Sequence, residues 1–343
     1  LLEKYREKVK CIYIDPPFNT GKDFIYKDKY RDSSWLTLMD NRARLALAFL
    51  TRDGSLFVHL DWNANFLGRH LLEDLSLSIV EIAWNTNATK DEEAGLFSYK
   101  SFGEKYVRQH DTILQCALSP DYKFVKLWKP NRRTTALAIG WLDLLSSPQT
   151  GNPQRLEDYN FYIERWNESG QLVREMIETN DEKIFPIGDI WNDIYSFTQS
   201  ELRTSENLSF DTQKPENLLR RIIQSTTEQG DTVMDFFAGS GTTAAVSHKL
   251  HRKWLGVEMQ DCFEEFYHDG GDKKVGLLGR LKIVLHGDQE FHTMGKRRRS
   301  HLSADINWQG GGFFKYHYLE QYEDTMNNLE LPREREGQSA FET

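Results

Sequence analysis

The chain has 343 residues, which is enough for two domains or for one enlarged domain with a long insertion. Its three cysteines, at positions 11, 116 and 262, lie far apart, which argues against a disulfide framework or a zinc site and is typical of a reducing cytosol. No run of eighteen apolar residues occurs, so we expect a cytoplasmic protein without a membrane span, and a net charge of −9 means that a nucleic-acid partner would need a locally basic surface.

The first quarter of the chain predicts alternating strands and helices. The expected elements are, in order, strand 11–14, helix 35–50, strand 55–60 and helix 64–77. Asp15-Pro16-Pro17 follows the first strand, and the prolines stop it, whereas Asp61 ends the second strand. Because the chain begins at Leu1 without methionine, ten residues before the first strand, we expect an excised piece that lacks its natural N-terminal segment.

The middle of the chain, residues 85–204, predicts an inserted and irregular domain, because turn formers and charges interrupt every periodic run. Within it, residues 100–133 carry eight basic residues against three acidic ones, a net charge of +5. Aromatic residues are interleaved there: Tyr99, Phe102, Tyr106, Tyr122, Phe124 and Trp128. Such a segment can supply phosphate contacts and stacking faces, although we expect about half of these aromatics to form the insertion's own core. A second basic run occupies 296–299.

Order returns after Thr212. The expected elements are helix 216–228 with Pro215 at its first position, strand 232–236, a glycine turn at 238–241, helix 242–250 and strand 254–257. Gly230 ends the first of these helices. A strand, a glycine turn, a helix and a second strand in this order form the βαβ unit of a parallel sheet.

The glycine turn reads Asp235-Phe236-Phe237-Ala238-Gly239-Ser240-Gly241-Thr242. Glycine lets a ligand approach the backbone closely, and the start of a helix offers free N–H groups. Glu258 ends the following strand, where a carboxylate can accept hydrogen bonds from both ribose hydroxyls of an adenosine. The turn has neither the full GxGxxG of dinucleotide sites nor the GK[ST] of a P-loop, so we predict a nucleoside cofactor rather than a phosphate site.

A second motif, Asp15-Pro16-Pro17-Phe18, also follows a strand. The exocyclic amine of adenine is a poor nucleophile because its lone pair is delocalised into the ring. The carboxylate of Asp15 and the carbonyl of Pro16 can each accept one amino hydrogen, which frees the lone pair to attack a sulfonium methyl group. The prolines stiffen the loop, and Phe18 offers a flat face to a base that has left its stack.

The two motifs in this order resemble those of the beta class of amino-methyltransferases, in which target recognition lies between the catalytic and cofactor motifs. Further segments resemble the modification subunits of type III restriction-modification systems: Asn19-Thr20-Gly21, Asp23-Phe24-Ile25-Tyr26, Thr212-Gln213-Lys214-Pro215 and Gly310-Gly311-Gly312-Phe313-Phe314-Lys315-Tyr316. The resemblance covers about 1–84 and 205–325. One departure is Phe236, where proline is usual.

The resemblance implies an α/β fold, a Rossmann-like fold of S-adenosylmethionine-dependent methyltransferases with an inserted target-recognition domain. It implies a first catalytic part at 1–84, the insertion at 85–204, a second catalytic part at 205–310 and a C-terminal extension at 311–343. It assigns catalysis to Asp15, Pro16, Pro17 and Phe18. It assigns cofactor binding to Asp235, Phe237, Gly239, Gly241, Thr242, Glu258, Gln213, Lys214 and Pro215, and it implies no metal site. His59 and Asp61 end a strand near the same site and can be structural, and His110 with Asp111 resembles a plain strand.

The function implied is methylation of adenine N6 in double-stranded DNA, with base flipping, in a restriction-modification system. Aspartate rather than serine before the two prolines favours adenine N6 over cytosine N4. Three alternatives stay open at this point: a cytosine-N4 or RNA-adenine enzyme of the same fold, a silent DNA-binding specificity subunit, and a dinucleotide oxidoreductase. A homodimer and a restriction nuclease or helicase subunit are further partners that the resemblance implies.

Overall fold

The structure of the protein is a computed structural model that describes part of the chain. The described residues are 2–18, 32–86, 106, 108–130, 162–176, 184–194, 196–197, 206–208, 210, 212–259, 263, 265–267, 273–288, 291–293, 296–298 and 301–319. The chain divides into two units, residues 1–311 and 312–343. In the second unit the described residues, 312–319, form neither helix nor strand.

The first unit contains all of the described helices and strands. The helices described are α1 Leu2–Tyr5, α2 Asp32–Phe49, α3 Asn65–Asp74, α4 Glu216–Thr226, α5 Thr242–Lys249, α6 Leu277–Leu285 and α7 His301–Asp305. The strands described are β1 Val9–Ile14, β2 Leu50–Leu60, β3 Ser78–Asn85, β4 His110–Ala117, β5 Trp128–Pro130, β6 Tyr162–Trp166, β7 Leu172–Met176, β8 Ile184–Pro186, β9 Ile190–Trp191, β10 Thr232–Asp235, β11 Lys253–Gly256, β12 Glu265–Tyr267, β13 Lys273–Val275, β14 Phe291–Thr293 and β15 Lys296–Arg298.

Seven of these strands form one sheet in the order β11-β10-β1-β2-β4-β3-β9. Strands β11, β10, β1 and β2 are mutually parallel, whereas β4 runs antiparallel to both of its neighbours, β2 and β3. Ile12 of β1 pairs with Met234 of β10 on one side and with Leu56 of β2 on the other. The remaining described strands form two-stranded pairs outside this sheet.

Both faces of the sheet are covered, because the side chains of each strand alternate between two apolar layers. Cys11 and Tyr13 of β1 belong to the layer built with α4 and α5, whereas Ile12 and Ile14 belong to the layer built with α2. On α2, Trp35 is completely buried in the second layer. A central sheet between two helical layers explains why β1 is a continuous apolar run rather than an alternating one.

The connections leave the middle of the sheet in opposite directions. From β10 the chain passes through α5 to β11, towards one edge, and from β1 it passes through α2 to β2, towards the other edge. A crevice opens where two such connections diverge, at the carboxyl ends of the adjacent strands, and ligands of open α/β sheets bind there. The motifs after Ile14 and at Asp235 therefore border the same crevice.

The predicted order of elements in both catalytic parts is confirmed, with shifts of a few residues at the boundaries. Pro215 is a correction: it precedes α4 with an extended conformation (φ −69°, ψ 144°) and is not the first helical residue. The range predicted as an insertion contains β4 and β9, which pair within the central sheet. The strand expected at His110 and Asp111 is thus β4, whereas the extent of the insertion stays a prediction.

Several predicted features lie outside the described residues, among them 19–21, 23–26 and, from the basic segment 100–133, residues 100–105, 107 and 131–133. Two described basic residues of that segment have partners: the guanidinium of Arg108 lies 4.6 Å from the ring centre of Trp62, and Lys123 pairs with Glu228 at 3.0 Å. Within the described part of the chain, no helix is both long enough and apolar enough to span a bilayer.

Candidate active site at the carboxyl edge of the sheet

The loop Asp15–Phe18 continues directly from β1 and is held from the side of α2. Trp35 of that helix donates a hydrogen bond from its ring nitrogen to the carbonyl of Pro17, at 2.7 Å. Pro16 is buried and Phe18 is half-buried. A buried donor on a helix and two restricted proline φ angles together fix the direction in which this short loop leaves the sheet.

The carboxylate of Asp15 has a different neighbour at each oxygen. Lys214, in the loop before α4, donates a hydrogen bond from its ammonium group to Oδ2. Oδ1 is buried and accepts no hydrogen bond from the described residues, but it lies 3.4 Å from Nδ1 of His59. The same ammonium group of Lys214 donates to the carbonyl of Thr212 at 3.0 Å and lies 5.6 Å from the ring centre of Phe18.

His59 of β2 is completely buried behind Asp15. The hydroxyl of Tyr13 lies 3.0 Å from Nδ1, and Oδ2 of Asp111 lies 3.5 Å from Nε2. The indole of Trp84 packs edge-on against the ring, with the centres 5.5 Å apart. Burial raises the pKa of Tyr13 well above its usual range, and the charge of Asp15 adds to this effect, so the hydroxyl stays protonated.

Tyr13 is a site residue that the sequence reasoning missed, and Asp111 was interpreted as structural. A signal for Tyr13 was present, because residues two apart in a strand face the same side of the sheet and Tyr13 lies two before Asp15. For Asp111 the sequence holds no comparable signal. Its place depends on β4 pairing antiparallel to β2, with His59 opposite Ile113.

The glycine turn is built around the carboxylate of Asp235. This carboxylate accepts the backbone N–H of Phe237 at 2.9 Å and the hydroxyl of Thr243 at 2.6 Å. Burial raises its pKa to about 7, and the nearby charges of Asp15 and Glu258 act in the same direction. Asp235 thus holds the turn internally, and the hydrogen bonds that the structure describes for it go to the turn and to α5.

Two glycines in the turn have left-handed backbone conformations, which residues other than glycine rarely adopt. Gly239 has φ +48° and Gly241 has φ +77°. A Cβ atom on Gly241 would lie 3.0 Å from Cγ of Leu277, and one on Gly239 would lie 3.7 Å from the ring of Phe210. The turn therefore needs glycine at 241 for its own packing as well as for its conformation.

Glu258 joins the end of β11 to this turn. Its Oε2 accepts the backbone N–H of Gly239 at 2.6 Å. Backbone hydrogen bonds from Ala238 to the carbonyl of Val257 and from Val257 to the carbonyl of Asp235, at 3.1 and 2.9 Å, keep the two segments side by side. The acidic residue predicted at the end of the second strand therefore contacts the predicted glycine turn.

The predicted cofactor residues Lys214 and Gln213 are neighbours in the chain but contact different segments. The carbonyl of Lys214 accepts the hydroxyl of Thr242 at 3.0 Å, so the loop before α4 touches the start of α5. The buried amide of Gln213 is turned towards a neighbouring loop: it accepts the N–H of Leu208 at 2.8 Å and donates to the carbonyl of Glu206 at 2.6 Å. The described contacts of Gln213 therefore lie on the side of that loop.

A buried group of charged side chains links the helices next to the crevice. Lys249 donates to both oxygens of Glu216 at 2.8 Å and to Asp288 at 2.5 Å. Arg280 donates to Glu216 at 3.0 Å and to the hydroxyl of Thr242 at 2.9 Å. These contacts tie α4, α5 and α6 together immediately behind the loop that carries Lys214.

A doubly wound α/β protein with acidic and glycine-containing motifs at the carboxyl edge of its sheet is the class that this fold and site define. A sequence profile of the DNA methylase family, the N6 and N4 methyltransferases, matches residues 9–268. The chain belongs to that family. The predicted family is confirmed by this match, and the predicted α/β fold by the sheet.

The chain is also similar to individual proteins of known name. The chain is 26% identical over 416 aligned positions to the probable type III restriction-modification enzyme HindVI Mod subunit of Haemophilus influenzae, with 95% of this chain and 53% of that protein covered. It is 26% identical to the DNA adenine methyltransferase YhdJ of Escherichia coli K12, with 87% and 84% covered. Among solved structures, the M1.HpyAVI–SAM complex is similar over 74% of this chain and 84% of its own, at 17% identity and a TM-score of 0.40. The chain spans about half the length of the Haemophilus relative.

Proposed function

We propose that this chain transfers the methyl group of S-adenosylmethionine to the N6 amine of adenine in double-stranded DNA. The observation that carries the proposal is the position of Asp15 and of the glycine turn at the carboxyl ends of the adjacent parallel strands β1 and β10. A methyl donor on one side of the crevice would face an amine held on the other. Positioning of this kind can account for several kcal/mol of a reaction barrier.

The residues of the turn fit a nucleoside cofactor. Gly239 and Gly241 give the turn its left-handed backbone, and the carboxylate of Glu258 is held beside them by the N–H of Gly239. A carboxylate has about four acceptor positions, so Glu258 can also accept ribose hydroxyls. S-adenosylmethionine supplies an electrophilic methyl group on sulfur when it is bound. The loop of Gln213, Lys214 and Pro215 would lie against its methionine end.

The loop Asp15–Phe18 fits the target base. The carboxylate of Asp15 and the carbonyl of Pro16 would each accept one amino hydrogen and localise the lone pair on nitrogen. The ring of Phe18 would stack on the base after it has left the duplex. Lys214 contacts both Asp15 and Phe18, so the base and the ammonium group of Lys214 compete for the same two partners.

Adenine N6 is favoured over cytosine N4 by aspartate at position 15, and the E. coli relative is named a DNA adenine methyltransferase. Similarity to a Mod subunit favours a role in a restriction-modification system. A homodimer, in which one copy recognises DNA while the other transfers the methyl group, and a nuclease or helicase partner belong to the same proposal. A silent specificity subunit is disfavoured, because it has no use for the carboxylate of Asp15 beside the cofactor crevice.

Transfer of labelled methyl groups to mixed-sequence duplex DNA, followed by digestion and nucleoside identification, tests the proposal. We expect label in N6-methyladenine, and no label with Asp15→Asn. Label in N4-methylcytosine instead would overturn the choice of base and keep the chemistry. A protein that binds DNA but neither binds the cofactor nor transfers label would be a specificity subunit, and the catalytic proposal would be wrong.

A further inference from the structure

Four ionisable side chains, each next to the following one, lie at the proposed catalytic loop, and we call them the relay chain: Lys214, Asp15, His59 and Asp111. Lys214 donates to the outer oxygen of Asp15, whose inner oxygen lies 3.4 Å from Nδ1 of His59. On the other side of the ring, Nε2 lies 3.5 Å from Asp111. The imidazole therefore has a carboxylate at each of its two nitrogens.

We infer that His59 takes up the proton that Asp15 removes from the adenine amine during methyl transfer. The inference rests on the proposed function and adds a positioning residue that acts through Asp15. A buried imidazole with a carboxylate at both nitrogens is suited to holding a second proton, because each N–H of the charged ring then points at an anion.

Methyl transfer to the amine releases one proton, and Asp15 is its first acceptor. As the amine nitrogen forms its bond to the methyl carbon, the bond from that carbon to sulfur breaks and sulfur keeps the electron pair. The nitrogen then carries a positive charge and loses one proton to Oδ2 of Asp15. A half-turn of the carboxyl group, whose terminal torsion is broad and two-fold, brings the protonated oxygen to Nδ1 of His59. The proton passes to the ring, the carboxylate of Asp15 is restored, and the proton leaves to water after the product departs.

Burial explains why an internal acceptor is needed while the product is bound. His59 has no exposed surface, and the side chain of Asp15 is 15% exposed, with its Oδ1 buried. A base seated on Asp15 and Phe18 would separate this carboxyl group from water. The route that the described residues leave for the proton leads inward, from Asp15 to His59.

Tyr13 is compatible with both states of the ring. Its hydroxyl lies 3.0 Å from Nδ1 and stays protonated, because burial and the charge of Asp15 raise its pKa. A hydroxyl can donate to Nδ1 of the neutral ring and can accept from Nδ1–H of the charged ring. Tyr13 therefore holds the ring in place without selecting one protonation state.

Other ionisable groups near the relay chain are held by their own partners. Asp61, which follows β2, accepts the N–H groups of Asn63 and Ala64 at 2.9 and 3.2 Å, and burial raises its pKa. Asp235 of β10 acts on Asp15 and Tyr13 through its charge, but its described hydrogen bonds go to the glycine turn and to α5. The hydrogen bonds that the structure describes for these two carboxyl groups therefore do not go to the ring of His59.

The experiment compares the wild-type protein with His59→Gln and with the control variant His70→Gln. Glutamine can keep hydrogen bonds to Tyr13 and Asp111 but cannot take up a proton. His70 is a matched control because its side chain is 70% exposed and pairs with Glu73 on α3. Single-turnover methyl transfer to duplex DNA is measured from pH 5.5 to 9, together with the cofactor dissociation constant.

We expect His59→Gln to lower the single-turnover rate about 100-fold, within the range for loss of a proton-transfer group, with cofactor binding changed less than threefold. Because a ring that already carries two protons cannot accept another, the dependence of the rate on pH should differ between the wild-type protein and His59→Gln. Rates within threefold of wild type with an unchanged pH profile would overturn the relay and leave the proposed function intact. A wild-type protein that methylates no adenine would remove both.

A measurement without DNA or cofactor tests the proton site independently of activity. The ¹⁵N signals of the His59 ring report the fraction of doubly protonated imidazole at a fixed pH of 6. Asp111→Asn removes the carboxylate that lies 3.5 Å from Nε2, so we expect this fraction to fall while the signals of His70 stay unchanged. Equal fractions in wild type and Asp111→Asn would contradict the assignment of His59 as a proton acceptor.

Discussion

The ammonium group of Lys214 donates a hydrogen bond to the carboxylate of Asp15, although the two residues lie 199 positions apart in the chain. The contact joins the loop after β1 to the loop before α4, and thus the two predicted catalytic parts. It also places a cation on the carboxylate to which we assign the target amine. The carboxylate of Asp15, the glycine turn and the buried charges near them can each be altered by a separate substitution.

Asp15→Asn should abolish methyl transfer while cofactor binding stays within about threefold of wild type. The amide keeps the size of the side chain but loses the negative charge that stabilises the developing ammonium, and a loss of at least about 1,000-fold in rate is expected. Labelled methyl transfer and cofactor titration measure the two effects. Asp40→Asn, which alters an exposed ion pair with Arg44, is the control and should leave both values unchanged. Turnover by Asp15→Asn near the wild-type rate would refute the proposed mechanism.

Gly241→Val should weaken cofactor binding at least tenfold, because the side chain would both strain a backbone at φ +77° and press on Leu277. Gly230→Val is the matched control: its φ is +84°, but no atom lies within 4 Å of the added Cβ. Both variants carry the backbone strain, roughly 1–2 kcal/mol, and both should melt earlier than wild type. A normal cofactor dissociation constant in Gly241→Val would show that the cofactor binds elsewhere.

The stability of Asp235→Asn relative to wild type should increase with pH. The pKa of Asp235 is about 7 in the folded protein against an ordinary value of 3.8, so the folded state holds this proton more tightly than the unfolded chain. Its contribution to stability is complete below about pH 4 and is lost as pH rises towards 7. Asparagine does not ionise, so its advantage should grow by roughly 2–3 kcal/mol between pH 5 and 8.

Urea denaturation at the two pH values measures this difference. Comparison with wild type at each pH cancels the titration of Glu206, whose pKa burial raises to about 8, because that residue is present in both proteins. A difference between the two proteins that is independent of pH would mean that Asp235 ionises normally in the folded state.

Lys249→Met should destabilise the protein by about 3–5 kcal/mol, because it leaves Glu216 and Asp288 buried without their shared cation. Lys8→Met is the control, since the ammonium of Lys8 forms an exposed hydrogen bond with the carbonyl of Lys4. The free energy of unfolding, measured by urea denaturation, should change by less than about 0.5 kcal/mol in the control. If the free energy of unfolding changed equally little in Lys249→Met, this lysine would not stabilise the buried carboxylates of Glu216 and Asp288.

The predicted elements of the two catalytic parts rest on local signals. The apolar run that forms β1, the glycines at 239 and 241 and the acidic residue after β11 can each be read within a short stretch of chain, because backbone conformation and strand or helix periodicity depend on near neighbours. Their order, a strand followed by a turn, a helix and a strand, is enough to predict a parallel sheet and the edge at which ligands bind.

The strand β4 was harder to delimit, because polar residues interrupt its apolar pattern. Asp111, Thr112 and Gln115 are all buried, and they have partners on other segments, such as the hydroxyl of Ser55, which lies 3.3 Å from the amide of Gln115. Such a strand lacks the continuous apolar run that marks β1. Its membership of the sheet follows from pairing with β2 and β3 rather than from its own composition.

The spacing of the motifs was therefore sufficient to predict the family and the α/β fold, and to select the residues that we propose contact the cofactor and the base. The spacing of the motifs could not predict the contacts of those residues, because Lys214, His59 and Asp111 come from three separate segments of the chain. Their approach depends on the parallel register of β1 and β2, the antiparallel register of β2 and β4, and the packing of α4 beside them. Local sequence specifies which groups are present at each strand end, whereas long-range pairing of the strands decides which of them share a proton or a charge.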